Sequence, residues 1–183
     1  CDLNVRAYMD STYKKQVDVG LSYQSHAYAQ GQNYYVEAYN SGGLKFKVSV
    51  KDPTTGALTT GTEQTLTHAG SVAYDVMLRH MTGNKFVVVF RTNSSTKVQT
   101  IVFEVDKTNK DLELQGTAKD LTSGAAYKPC VSYDPDEDSL MYGYVEGNIF
   151  KIVGATYDAS LDQSTGTVTN LSSTTNSNNA GWI

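Results

Sequence analysis

The sequence is short of most of the devices that hold small proteins together. Its two cysteines, Cys1 and Cys130, are too few for a disulfide-built scaffold or a cysteine-rich zinc site. Cys130 reads as a small strand residue, and spacing alone does not show whether it pairs with Cys1. Helical periodicity is nearly absent. No apolar run is long enough for a membrane-spanning helix, and the opening residues do not read as a signal peptide. Basic charge is scarce too: Lys and Arg total 15 against 19 Asp and Glu, the net charge is −4 and the pI is about 5.3. No stripe is available to neutralise phosphates, which argues against nucleic acid as the main partner.

What the chain does have, across 183 residues, is short runs rich in Val, Tyr, Phe and Thr between clusters of Gly, Asn, Asp and Ser. That is the pattern of β-hairpins, and it predicts an all-β fold. The stretch 85–106, KFVVVFRTNSSTKVQTIVFEVD, shows it most clearly: an apolar strand, a polar turn, a second apolar strand and a closing Asp.

This unit recurs. The strands YYVEAY, FVVVFR and LMYGYV begin at 34, 86 and 140, which are 52 and 54 residues apart. A second strand follows each and closes at Asp52, Asp106 or Asp158, and LNVRAYMD closing at Asp10 supplies a partial copy. Beyond each Asp comes a polar turn and a further strand ending in Leu21, Leu66, Leu121 or Leu171. Ahead of the aromatic strands lie LSYQSHAY, VAYDVMLRH and YKPCVSYD. One unit is thus four antiparallel strands in about fifty residues, the size of a β-propeller blade.

The expected organisation is a partial blade at 1–21, blades at 22–66, 67–121 and 122–171, and a polar start of a following blade or tail at 172–183. Apolar residues on both strand faces favour radial stacking over a lone sandwich, with Val48, Val50, Val88, Phe90, Val102 and Val105 as inter-blade packing residues. About three and a half blades do not close a ring, so the expectation is a propeller-like array that is part of a larger ring. Other subunits or further blades of the same polypeptide would complete it. The Cys at position 1 fits a processed product or a piece of something longer.

The run 127–158 resembles repeats of the β-propeller regions of phage tail-associated and fibre-like virion proteins. The matching elements are Tyr127-Lys128-Pro129, Tyr133-Asp134-Pro135 and Ile152-Val153-Gly154. The other two copies keep the strand spacing but lack these prolines, the Asp-Pro turn and the glycine, so the detailed resemblance covers about a third of the chain. It implies a structural or host-adsorbing component rather than an enzyme, located extracellularly or in a virion.

Four groups of residues bear on chemistry. Asp134, Asp136, Glu137 and Asp138 alternate in a tight loop and can offer oxygens to a calcium ion. The same acids beside Pro135 also make a solvated hairpin turn, and the equivalent turns at 29–32 and 81–84 carry no carboxylate, which favours the turn. Asp10, Asp52, Asp106 and Asp158 read as turn-formers that accept backbone N–H groups. His26, His68 and His80 lack metal-ligand spacing, and no nucleophile elbow, P-loop or dinucleotide fingerprint occurs.

The fourth group is the tyrosines, thirteen in all, of which Tyr28, Tyr34 and Tyr133 are the candidate ligand or interface residues. Tyr is equally a strand-packing residue, and the two readings stand side by side. The functional expectation is a non-enzymatic structural or adhesive segment that binds a host surface or a neighbouring subunit. The alternative is a secreted, lectin-like module for surface glycans, and an enzyme fragment is a third reading. No cofactor other than calcium is suggested.

Overall fold

The computed structural model describes residues 24–29, 32–70 and 73–171, and among them every regular element is a β-strand. Asp10, the partial copy at 1–21 and the segment 172–183 lie outside the described residues.

The hairpin 85–106 forms the centre. Strands β7 (Lys85–Thr92) and β8 (Val98–Asp106) are dense in β-branched and aromatic residues and pair antiparallel, with Phe86 opposite Phe103 and Val88 opposite Ile101. Every residue from Phe86 to Phe90 is fully buried, so neither face of this hairpin meets water. Strand β6 (Ala73–His80) pairs with β7 on one edge. On the other edge β9 (Asp111–Gln115) and β10 (Lys119–Asp120) both pair with β8. The outermost strand is therefore one strand broken in two.

The same plan holds on either side. The first sheet comprises β1 (Gln24–Ala29), β2 (Tyr34–Asn40), β3 (Leu44–Lys51) and the broken pair β4 (Leu58–Thr60) and β5 (Gln64–Thr65). The third comprises β11 (Ala126–Asp134), β12 (Ser139–Glu146), β13 (Ile149–Tyr157) and the broken pair β14 (Gln163–Thr165) and β15 (Thr169–Asn170). The β12–β13 hairpin turns on Gly147 and Asn148, both at φ near +60°, the left-handed pair that matches strand twist.

The sheets stack face to face, and the middle one is buried from both sides. One cluster joins Tyr34, Val36, Phe46, Val48 and Leu66 of the first sheet to Phe86, Val88, Phe90, Phe103 and Val105 of the middle sheet. Its aromatic rings interlock, with Tyr34 5.9 Å from Phe86 and Phe46 5.3 Å from Phe103. The second cluster joins Val87, Val89, Val98 and Val102 to Leu140, Tyr142, Tyr144, Val153 and Ala155 of the third sheet. Each buried aromatic or branched side chain contributes on the order of 1.5–3 kcal/mol by leaving water. All six valines and phenylalanines expected between sheets lie in these clusters or, for Val50, against one.

The joint between sheets repeats. Gly61, Gly116 and Gly166 interrupt the broken edge strands and donate their amides to Val48, Val102 and Gly154 of the adjacent strand at 2.8, 2.9 and 2.8 Å. A Cβ on Gly61 would lie 2.3 Å from the Lys110 carbonyl oxygen of the next sheet, and one on Gly116 would lie 2.1 Å from that of Leu161. Only glycine allows so close an approach.

Hydrogen bonds cross the joints as well. Tyr34 donates its hydroxyl to Asn84 Oδ1 at 3.3 Å, and the Thr117 amide donates to Asp162 Oδ1 at 2.7 Å. At one end of the second interface the Arg91 guanidinium lies 5.5 Å from the Tyr74 ring and 5.2 Å from Tyr127, with Asp75 Oδ2 3.1 Å from Nε. Asp75 and Lys128 sit at φ near +50° in matching bulges of β6 and β11.

One alignment is corrected by the register. Tyr35, Phe86 and Leu140 stand opposite Ser49, Phe103 and Ala155, which lie three residues before Asp52, Asp106 and Asp158. The aromatic strands therefore correspond from 35, 86 and 140, 51 and 54 residues apart, and the expected start at 34 is one residue early.

Candidate functional site

The loops at one end of the stack carry the sharpest polar constellation. The β11–β12 hairpin turns at Asp134, whose Oδ1 accepts the amides of Asp136 at 3.0 Å and Glu137 at 3.4 Å. That is the carboxylate's task in an Asx turn. Three residues of turn later the chain enters Asp138 at φ 46°, a left-handed conformation that aspartate tolerates, and the side chain swings back over the sheet.

There Asp138 Oδ1 accepts two phenols: the Tyr133 hydroxyl of β11 at 2.6 Å, and the Tyr157 hydroxyl from the end of β13. Lys85 of the middle sheet sits 5.5 Å from the Tyr157 ring centroid, a cation over an aromatic face. The phenols hold the Asp138 carboxyl below its usual pKa, and burial followed by the hydrogen bond to Asp138 pushes Tyr133 up to about 12. Tyr157 moves in the same direction for the same two reasons.

This arrangement can recognise a ligand with stacking area and hydrogen-bonding groups. It holds no activated nucleophile beside a base, since its phenols are kept protonated and its carboxylate is already bonded.

The four calcium-loop acids do not converge. Asp134 serves its own turn, Asp138 serves two tyrosines, and Asp136 and Glu137 are exposed. Among the described residues no group of three or more His, Cys, Asp or Glu is gathered to hold a metal. Asp52, Asp106 and Asp158 each accept two backbone amides from the following turn: Thr54 and Thr55, Thr108 and Asn109, Ser160 and Asp162.

The three tyrosines expected at a ligand surface are not brought together. Tyr133 belongs to the third sheet and its site. Tyr28 belongs to the first sheet, 39% exposed, its ring 4.8 Å from Tyr35. Tyr34 is completely buried in the first interface, where burial raises its phenol pKa, and it faces Phe86 rather than solvent.

The histidines stay apart. His68 Nε2 accepts the Leu44 amide at 3.3 Å, His80 lies 3.0 Å from the Gly83 carbonyl, and burial lowers the pKa of His26 beside Glu37. Cys130 is a half-buried free thiol whose pKa is raised by burial.

Lys85 and Tyr157 were not singled out by sequence reasoning. The one available signal was that the residue before the closing Asp is Tyr157 in the third copy, where the others have Lys51 and Val105. No family model matches the chain, and no curated protein matches it.

Proposed function

We propose that the chain is a run of propeller blades from a non-enzymatic assembly, extracellular or on a virion such as a phage tail or fibre. Its loop ends touch a host surface or a neighbouring subunit. One observation carries this reading: three copies of one sheet plan are stacked through a repeated glycine-and-turn joint. Identical joints rotate each sheet by a similar step, which is how radial arrays arise. Electron microscopy of the natural assembly tests it. Blades around a central channel are the expected image, and a straight stack of sheets refutes the propeller.

The Tyr133–Tyr157–Asp138 cluster favours a second reading, a module for surface glycans, because tyrosine faces stack on sugar rings while carboxylates accept their hydroxyls. A glycan array on the full chain separates the two. Selective binding lost in Tyr157→Ala supports the sugar module, and uniform silence supports the structural role.

A further inference from the structure

Among the described residues the third sheet ends the stack with its outer face uncovered, and three positions on it behave unlike their counterparts. Leu66 and Leu121 are 0% and 8% exposed because the following sheet covers them, whereas Leu171 is 53% exposed. All three make the same amide bond to the strand beside them, on Leu44, Val98 and Phe150. Met141 stands opposite Gly154 as Val36 stands opposite Val48 and Val87 opposite Val102. Both valines are buried, and Met141 is 54% exposed. A Cβ on Gly166 would meet nothing closer than the Gly154 carbonyl oxygen at 3.6 Å, while Gly61 and Gly116 lie directly under a backbone carbonyl. Beside Met141 and Gly166 is a concavity of about 620 Å³ walled also by Ser132, Thr156 and Ser164.

The turn that completes this joint at the two observed interfaces recurs in the first sheet. The element over Gly61 and Gly116 is the Asp-headed turn, through its left-handed residue Lys110 (φ 62°) or Leu161 (φ 65°). The first sheet has the same turn at 52–56, with Gly56 at φ 74°. It is exposed throughout, and among the described residues a Cβ on Gly56 would meet only Lys51 Cε, at 4.0 Å.

We propose that the outer face of the third sheet receives a second copy of this chain, head to tail, with the second copy's Asp52–Gly56 turn seated over Gly166 and its sheet covering Met141 and Leu171. Such a contact joins two different surfaces, so it propagates until rotation closes it into a ring or leaves a filament. The inference rests on the propeller reading for its geometry and adds the partner and the surface.

The substitution that tests it is Gly166→Ala. In the free chain the methyl makes only an ordinary van der Waals contact, 3.6 Å from the Gly154 carbonyl oxygen, at a residue without positive φ, so the dilute protein keeps its melting temperature. In the docked joint it strikes a carbonyl, as it would at Gly61 or Gly116. Sedimentation of the full chain across a concentration series is expected to show self-association for the natural sequence, weakened at least about tenfold in Gly166→Ala. In a background with Cys1 and Cys130 replaced by Ser, Thr55→Cys mixed with Thr167→Cys is expected to cross-link through a short bismaleimide, while neither variant does so alone.

A chain that stays monomeric at every concentration overturns the inference and leaves ring closure to further blades. Association indifferent to Gly166→Ala, or cross-linking within a single variant, overturns it as well. Association through this joint into an open filament upholds it and refutes the ring.

Discussion

Gly116 lies so close beneath Leu161 that a Cβ added to the glycine would stand 2.1 Å from the Leu161 carbonyl oxygen. Backbone, unlike a flexible side chain, cannot step aside, so Gly116→Ala must push the middle and third sheets apart. Its expected cost is about 1–3 kcal/mol or more, typical of forced overpacking, and denaturant unfolding reads it as a lower midpoint. Gly61→Ala is expected to do the same to the first interface, where Lys110 takes the place of Leu161.

The double-sided burial of the middle sheet makes its aromatics the costliest to remove. Phe86 touches Tyr34 across the interface, and its ring lies 5.8 Å from Phe103 and 5.1 Å from His80. Phe86→Ala is expected to lose about 3–5 kcal/mol, whereas Met141→Ala on the open face changes stability by no more than about 0.5 kcal/mol in the dilute chain. Equal losses in a thermal melt would contradict the asymmetry.

A buried polar relay crosses the second interface. Thr100 of the middle sheet donates its hydroxyl to Tyr142 at 2.9 Å, and Tyr142 donates to Gln163 Oε1. Tyr142→Phe keeps the ring but leaves the Gln163 carbonyl without its donor, so a loss of about 1–3 kcal/mol is expected. A change near zero would mean that water replaces the phenol.

The turn aspartates predict the acid limb of stability. Backbone amides, Asn109 first and then Thr108, hold the Asp106 carboxyl below its usual pKa, and those of Thr55 and Thr54 do so for Asp52. A folded pKa below the unfolded one stabilises the fold above the unfolded value of about 3.9, and that contribution is lost as pH falls through the folded value. Asp106→Asn keeps an acceptor oxygen but cannot titrate. The gap between its melting temperature and that of the natural chain is expected to be open near neutral pH and to close in acid. On the alkaline side, Asp138→Ala is expected to bring the Tyr133 phenol down from about 12, measured by ultraviolet titration.

Chelation is expected to leave the hairpin at 134–138 unaltered, because its carboxylates bond to amides and phenols of their own sheet. A melting temperature that falls with EDTA and recovers with calcium would restore the metal reading.

Three landmarks of the repeat were legible because each is a chemical necessity of one sheet: β-branched strands, an Asp to cap each turn, and a closing Leu. What escaped was whatever depends on a neighbour. Tyr34 and Tyr35 are identical letters side by side, and only pairing with β3 decides that Tyr34 points into the interface. A slip of one residue exchanges the two faces of a strand, so the same ambiguity turned a packing residue into a surface candidate. Gly61, Gly116 and Gly166 sit among other glycines in polar turns, and their role shows only when the carbonyl above them is seen. The site joining Asp138, Tyr157 and Lys85 spans two sheets and more than fifty positions, beyond the reach of local spacing.

The hairpin 85–106 has apolar side chains on both faces, and its place in the order of synthesis leaves one of them uncovered for a time. The first sheet precedes it from the ribosome and can shield one face at once, but the residues that shield the other, from Leu140 to Ala155, are made only later. For that interval the nascent chain carries a bare wall of Val87, Val89, Val98 and Val102. Transiently exposed apolar surface of this kind invites wrong partners, so the interval before the third sheet is made is the one most open to misassembly.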